Sequence, residues 1–262
     1  MNKNQLVKIF WNNPNLWEIY GLADYYRERC SVVKEMFPDN IGKILDVGAG
    51  KGDIVNDIYR LYNNVTALDI STEALKHVNC PSRVNGEIEN LPFQSNNFDL
   101  VICLEVLEHL SDLSFKKGVF ELQRVANNYL IIGVPYKENI HLRKTRCPSC
   151  QGIFNADGHF RTFYSLRSLC CWFPQFELVN KSLIGPSTRR NSFLGMWIQN
   201  VIARAYLPWD SYFTCIYCGC NGIHAEKETN PFKQRVTKRV NLLLSSRKKI
   251  PYWLIVLLKR KS

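Results

Sequence analysis

The stretch ILDVGAGKGD, Ile44 to Asp53, sets Gly48, Gly50 and Gly52 at alternate positions behind an apolar run that contains Asp46. Glycine costs chain entropy wherever it sits, so three in one turn imply that a ligand must come very close to the main chain. A second acid, Asp69, ends the later run VTALDI. A dinucleotide fingerprint needs its third glycine where Asp53 stands, so pyrophosphate is not the favoured guest. Asp46 and Asp69 would put negative charge beside the bound molecule, which suits an ammonium group and a ribose diol better than phosphates. Further on, LEVLEHL brings two more acids and an imidazole. Read as the start of a helix, it aligns Glu105, Glu108 and His109 at i, i+3 and i+4 on one face. Such a face can hold a divalent cation or, through His109, accept a proton, and packing or capping is its plainer use.

The third chemical signal is sulfur. CPSC carries Cys147 and Cys150, CIYC carries Cys215 and Cys218, and each pair is closely followed by glycine. Cys-x-x-Cys lets one tight turn aim two sulfurs at one ion, and two such turns complete a tetrahedral four-sulfur site for structural Zn2+. Reduced, unpaired core cysteines are the competing reading, and Cys220, His159 or His224 could replace one ligand. Cys170 and Cys171, in the apolar SLCCWF, read as core. A disulfide framework is disfavoured because the N-terminus shows neither the continuous apolar core nor the small-residue cleavage site of a secretory signal, and the chain reads as cytoplasmic.

These groups need a scaffold. Of the 262 residues, 46% are hydrophobic, enough for one sizeable domain or one domain with a substantial insertion. Up to about Pro135 the pattern alternates. KILDVG, VTALDI, FDLVICL and NYLIIGVP read as buried strands, while DIVNDIYRLY, STEALKHV and FKKGVFELQRVA read as helices. That order argues for a doubly wound, mostly parallel sheet covered on both faces, with ligands at the carboxyl ends of its strands. Beyond Tyr136 the rhythm gives way to the Cys pairs. FELVNKSLI and PYWLIVLLK then read as late strands, and LGMWIQNVIARAYL as a helix.

Charge is placed unevenly. The chain carries a net +11, and from His224 onward eleven Lys and Arg stand against Glu226 and Glu228. FKQRVTKRVNLLL there interleaves Phe232, Val236, Val240, Leu243 and Leu244 with basic residues at helical spacing, as a basic amphipathic helix does. It could contact phosphates at a membrane surface or serve as a solvated face. The longest apolar run, Ile250 to Leu258, falls well short of the ~20 residues that span a bilayer as a helix.

Taken together, Ile41 to Pro135 resembles the class I S-adenosylmethionine-dependent methyltransferases. ILDVGAGKGD is similar to their first motif, ALDIS to the second, and GEIENLPFQSNNFDLVICLEVLEHL to the stretch with the adenine contacts and fourth strand. The resemblance implies a seven-stranded, Rossmann-like α/β fold and S-adenosyl-L-methionine as cofactor. It places Asp46, Gly48, Ala49, Gly50, Gly52, Ile70 and Leu104 among the cofactor contacts, with the glycine turn against the methionine part, Asp69 at the ribose hydroxyls, and Glu87 and Ile88 at the adenine. Glu87 stands where Asp is commoner in the family. LEVLEHL also resembles the ubiquinone-pathway O-methyltransferases, which implies Mg2+ at Glu105, Glu108 and His109. PYKENIHLRKTRCPSC with DGHFRTF is similar to a subgroup from glycan pathways that carries a zinc-knuckle insertion. There His159 and Arg161 either reach the substrate or pin the insertion.

The implied organisation is a helical lid over 1–40, a cofactor-binding core over 41–136, a zinc-binding insertion with helices and a late core strand over 137–225, and a basic helix with the final strand over 226–262. Trp11, Trp17, Tyr20, Tyr25 and Tyr26 either cover the cleft or pack ordinarily. The leading functional reading is O-methylation of a small molecule or glycan, either a sugar or a lipid-linked saccharide met at the inner membrane face. RNA methylation, gripped by the zinc module and basic tail, is a second reading, against which stands the lack of a recognised RNA-binding motif. A cofactor-binding scaffold without turnover is the third.

Overall fold

The structure is a computed structural model and describes residues 3–19, 24–62, 64–189, 193–198, 206–207, 209, 213–221, 231–245 and 249–262. Seven strands form one sheet: β1 Lys43–Val47, β2 Asn64–Asp69, β3 Ser82–Asn85, β4 Phe98–Leu104, β5 Ala126–Pro135, β6 Phe176–Ile184 and β7 Trp253–Arg260. Their order is β3-β2-β1-β4-β5-β7-β6, all parallel except β7, which runs antiparallel between β5 and β6. The chain steps outward from β1 to β3 and then crosses back to β4, so the topology reverses between β1 and β4. A crevice opens there above the carboxyl ends of the strands.

Continuous apolar runs make the central strands because both faces are covered. Successive side chains alternate, so Leu45 and Val47 pack with Val101, Leu130 and Phe115 on one face, while Ile44 packs with Leu100, Ile102 and Ile131 on the other. Helix α6, Asp112–Val125, covers the first face. The second is covered by α3, Asp24–Glu35, with the short α4, Val55–Ile58, and α5, Thr72–Leu75. The hydroxyls of Ser71 and Ser111 cap α5 and α6 by accepting N–H bonds from Ala74 and Ser114. Two N-terminal helices, α1 Lys3–Trp11 and α2 Pro14–Ile19, lie across the crevice mouth, where the Asn12 side chain accepts from the N–H and hydroxyl of Thr72.

Several expectations change at this level. DIVNDIYRLY is helical only over Val55–Ile58, and β3, too exposed to show an alternating pattern, is the strand missing from the sequence reading. Of LGMWIQNVIARAYL, the helix Phe193–Trp197 covers the start, and 199–205 lie outside the described residues, as do Tyr20 and His224. Cys170 packs against the core, but Cys171 is exposed. The basic helix forms at Pro231–Leu244, yet Phe232, Val236 and Leu243 point to solvent.

Candidate functional site

The first strand delivers the glycine turn. Gly48, Gly50 and Gly52 all have left-handed backbones, with φ of +77°, +54° and +84°. A Cβ on Gly48 would sit 2.2 Å from a Val106 methyl, so the position tolerates no side chain on steric grounds as well as conformational ones. The Gly48 and Ala49 N–H groups both donate to the Leu68 carbonyl at 2.8 and 3.1 Å, locking the turn to the end of β2. Asp69 completes the link: one carboxylate oxygen accepts from Gly50 N–H at 2.8 Å and the other from Ser71 N–H at 2.7 Å.

Above this turn lies a cavity of about 610 Å³, within the range of small-molecule sites. Asp46, Gly48, Ala49, Gly50, Asp69 and Ile70 line it, as do Glu87, Ile88 and Leu104. Gly52 does not. Its N–H donates to the Ala49 carbonyl at 2.8 Å and its carbonyl accepts from Asn56, so it shapes the turn from behind. Glu87 reaches the cavity while paired at 2.8 Å with Lys8 of α1. Trp11, Trp17 and Tyr26 also line the space, and Trp17 is fastened by its indole N–H donating to the Trp11 carbonyl.

Acid dominates the electrostatics. Burial pushes Asp46 up to about 7, with the charges of Asp69 and Asp53 adding to the rise and Arg29 opposing it. Burial also raises Asp69, to about 6, against the pull of its N–H donors. A cationic guest would reverse both shifts, because a positive charge a few ångströms away favours the carboxylate. The sequence reading missed Arg29 entirely. It is 8% exposed, lines the cavity, reaches Asp53 at 3.5 Å and lies against the rings of Tyr26 and Trp253. Nothing in the local pattern of α3 marks it, since only the fold turns it inward.

The second constellation differs from the expected helix face. Glu105 has φ +56°, and only Leu107–His109 form a 3₁₀ turn, so Glu105 and Glu108 do not share a face. Glu105 and His109 line the cavity. Glu108 is fully buried behind it. Burial, reinforced by Glu105, holds Glu108 well above the usual carboxylate range, and burial beside His159 holds His109 well below the usual imidazole value. The set that comes together is Glu108, His109 and His159, with one ligating atom from each within 4.8 Å of the others, and Glu105 stands outside it. His159 lines the cavity too, its Nδ1 hydrogen-bonded to Glu138. Burial alone would lower His159, but the Glu138 carboxylate holds it above its ordinary value. Arg161 instead pins the insertion: it donates to the Leu110 carbonyl and the Asp112 carboxylate at 2.9 and 3.0 Å and lies 3.8 Å over the Phe115 ring.

The Cys pairs converge although 64 residues separate them. All four sulfurs lie within 4.8 Å of one another, with Cys147–Cys218 and Cys150–Cys215 both at 3.6 Å. A tetrahedral site with Zn–S bonds of ~2.3 Å has edges of ~3.8 Å, so the donors fit that ion. The two turns repeat one geometry: the N–H of Gln151 donates to the Cys147 carbonyl and that of Gly219 to the Cys215 carbonyl, each at 2.9 Å and each left-handed. Gln151 therefore takes, in the first turn, the left-handed position that Gly219 takes in the second. Gly152 is needed for space instead, since a Cβ there would strike the Tyr217 ring at 2.4 Å.

The methyltransferase domain family matches residues 45–128. The matched segment lies within a Rossmann-like α/β methyltransferase fold. Over 124 residues the chain is 38% identical to the mitochondrial ubiquinone biosynthesis O-methyltransferase of Schizosaccharomyces pombe, a match covering 41% of this chain and 43% of that protein. Over 100 residues it is 37% identical to an uncharacterized protein of Methanocaldococcus jannaschii, covering 37% and 42%. The chain thus spans less than half the length of these curated relatives. In three dimensions it superposes on the magnesium protoporphyrin IX methyltransferase of Synechocystis with bound SAH at a TM-score of 0.56 and 13% identity, over 99% of this chain and 100% of that one. A possible histamine N-methyltransferase from Thermotoga maritima gives 0.54 and 13%, over 97% and 99%. At such identities the likeness concerns the fold, and the matched residues 45–128 include the glycine turn and Asp69 but not the sulfur cluster or His159.

Proposed function

We propose that the chain methylates an oxygen of a small-molecule or glycan acceptor, with S-adenosylmethionine as donor. One observation carries this reading: the left-handed glycine turn and the Asp69 carboxylate meet at one wall of a cavity in whose described lining Asp and Glu outnumber Lys and Arg. Bound there, the sulfonium supplies a methyl already activated for displacement. Asp69 accepts the ribose hydroxyls, the turn lies against the methionine part, and Asp46 supplies negative charge near the cationic end. Arg29 offers a guanidinium to the cofactor's carboxylate. Glu87 and Ile88 border the adenine.

The chain's task is alignment. An acceptor hydroxyl held in line behind the methyl forms the new C–O bond as the C–S bond breaks, and its proton leaves to the wall made by Glu105, His109 and His159. The products are a methyl ether and a thioether. The four cysteines hold a structural zinc that ties the two ends of the insertion together. The basic helix Pro231–Leu244 rests on an anionic membrane surface that presents a lipid-linked acceptor, since Phe232, Val236 and Leu243 are exposed beside Arg235, Lys238 and Arg239.

The test is calorimetric titration with S-adenosylmethionine and its demethylated product, followed by incubation with methyl-labelled cofactor and fractionated extract. Saturable binding with label in a small-molecule or glycolipid fraction is expected. Binding of NAD in preference to either nucleoside would sink the proposal, and label in RNA would redirect it.

A further inference from the structure

A short loop of the insertion forms part of the cavity wall, and it is fastened to the cysteine hairpin more than to the sheet. The strands Lys144–Arg146 and Ile153–Asn155 pair antiparallel, Lys144 opposite Asn155, with Cys147 and Cys150 in the turn between them. The chain then runs from Ala156 to Phe160, and Asp157, His159 and Phe160 line the cavity. Main-chain donors must find partners wherever water is kept out, so the destinations of the N–H groups show what holds this loop. Ala156 N–H donates to the Arg143 carbonyl at 2.7 Å, back across the hairpin. The donors that follow converge on one residue. Asp157 and His159 N–H donate to Asn155 Oδ1 at 2.9 and 3.3 Å, and Gly158 N–H donates to the Asn155 carbonyl at 3.0 Å. Phe160 N–H then crosses to the Glu108 carbonyl at 2.8 Å, on the sheet's side of the cavity.

Asn155 is buried, and its Nδ2 donates to the Ile140 carbonyl at 2.8 Å, near the start of the insertion. With the nitrogen committed there, the oxygen is the atom that faces the loop. The side chains of the wall take their places from this anchor. Gly158, at φ +76°, brings its carbonyl within 3.4 Å of His109 Nδ1, the Asp157 carboxylate pairs with the Arg143 guanidinium, and the His159 ring bonds the Glu138 carboxylate. The hairpin itself has little to hold it. Among the described residues its apolar core consists of Cys147, Phe154, Ala156, Trp209, Phe213 and Cys215. A module with so small a core needs a cross-link to stay ordered, and the four sulfurs offer one.

We propose that Asn155 is a positioning residue through which the cysteine hairpin sets the acceptor side of the cavity. Zinc among the cysteines orders the hairpin, the hairpin places Asn155, and Asn155 places Asp157, His159 and Phe160. The glycine turn and Asp69 lie outside this chain of contacts, so the cofactor side is left as it is. The inference rests on the methyl-transfer reading for what the wall receives. The coupling from cysteine site to wall does not depend on that reading.

The experiment is amide hydrogen exchange on the full, zinc-loaded chain, paired with label transfer from methyl-labelled cofactor. Asn155→Ala should speed exchange at Asp157, Gly158 and His159 at least about tenfold, while zinc content and calorimetric affinity for S-adenosylmethionine stay within about threefold of wild type. Asn155→Asp keeps an oxygen in the same place and should restore most of the lost protection, whereas a residue that merely filled space would leave the two variants alike. Chelating zinc from the wild type should open the same amides. In the extract fraction that the wild type labels, Asn155→Ala should lower the maximal rate at least about tenfold at unchanged half-saturation by cofactor, and Asn155→Asp should recover it. Unchanged exchange in Asn155→Ala, no recovery in Asn155→Asp, protection that does not depend on zinc, or undiminished transfer would each overturn the proposal. If circular dichroism shows that Asn155→Ala does not fold, the chelated wild type carries the decision. Exchange as expected with no fraction labelled by the wild type would leave the coupling standing and remove the methyl-transfer reading.

Discussion

The cofactor cradle and the insertion are built on opposite principles. In the cradle, the groups that matter lie within one strand–turn–helix unit and the end of the adjacent strand. Gly48, Gly50 and Asp69 are joined by three main-chain donors over 22 residues, so the geometry follows once β1 and β2 pair in register, Asp46 with Ala67. In the insertion, Cys147 and Cys150 meet Cys215 and Cys218, and His159 meets Glu108, across intervals of about fifty residues or more. Local backbone preference makes the first arrangement. The second depends on closing long loops, whose entropy contacts such as Asn13 Nδ2 on Thr214 and Phe160 on Glu108 must offset, together with the proposed zinc. The difference teaches that the two regions should fail separately.

The largest effect is expected at Gly48. Gly48→Ala forces a Cβ into Val106 on a left-handed backbone, a penalty of about 2–4 kcal/mol, and should abolish nucleoside binding by calorimetry while the zinc content stays unchanged. Next comes Cys215→Ser, or removal of zinc by chelation. About one zinc per chain should be lost and the 137–221 region should become sensitive to protease, with nucleoside affinity changing less than about threefold. A collapse of cofactor binding in that variant would mean that the two regions are one cooperative unit.

The contrast also explains what could be read in advance. The parallel sheet, the glycine turn and Asp69 were legible because apolar runs and strand-end acids are local signals. Strand β3 was not, since an edge strand of Ser, Arg and Asn lacks the alternation that one buried face imposes. Glu105, Glu108 and His109 were noticed but misplaced. Their spacing predicts a shared face only if the helix begins at Glu105, and a left-handed residue there turns that carboxylate away. The first-motif resemblance sets Gly52 beside the cofactor, whereas the turn curls so that it faces Asn56.

Asp69→Asn sharpens the comparison within the cradle. It keeps the shape but removes a charge that accepts two N–H bonds, and should weaken nucleoside binding about tenfold to hundredfold with no loss of zinc. The smallest effect is a pH dependence. Asp46 and Asp69 ionise near 7 and 6, and a cationic guest prefers them charged. Affinity should therefore be full above pH 8 and fall about tenfold by pH 6, as protonation overtakes the raised Asp46. Calorimetry across that window checks it, and a flat profile would show that neither acid faces the cationic end.

By itself the sequence determined the doubly wound sheet, the glycine turn at the carboxyl end of β1 and the residue types able to hold a metal. Each follows from periodicity or from the conformational freedom of a single residue type. Only the tertiary structure decided which of those side chains meet: Arg29 turned inward from α3, Glu108 withdrawn behind the wall, and His159 carried to His109 by an insertion. Contacts between residues far apart in the chain are selected by packing and loop closure, and no local pattern records them.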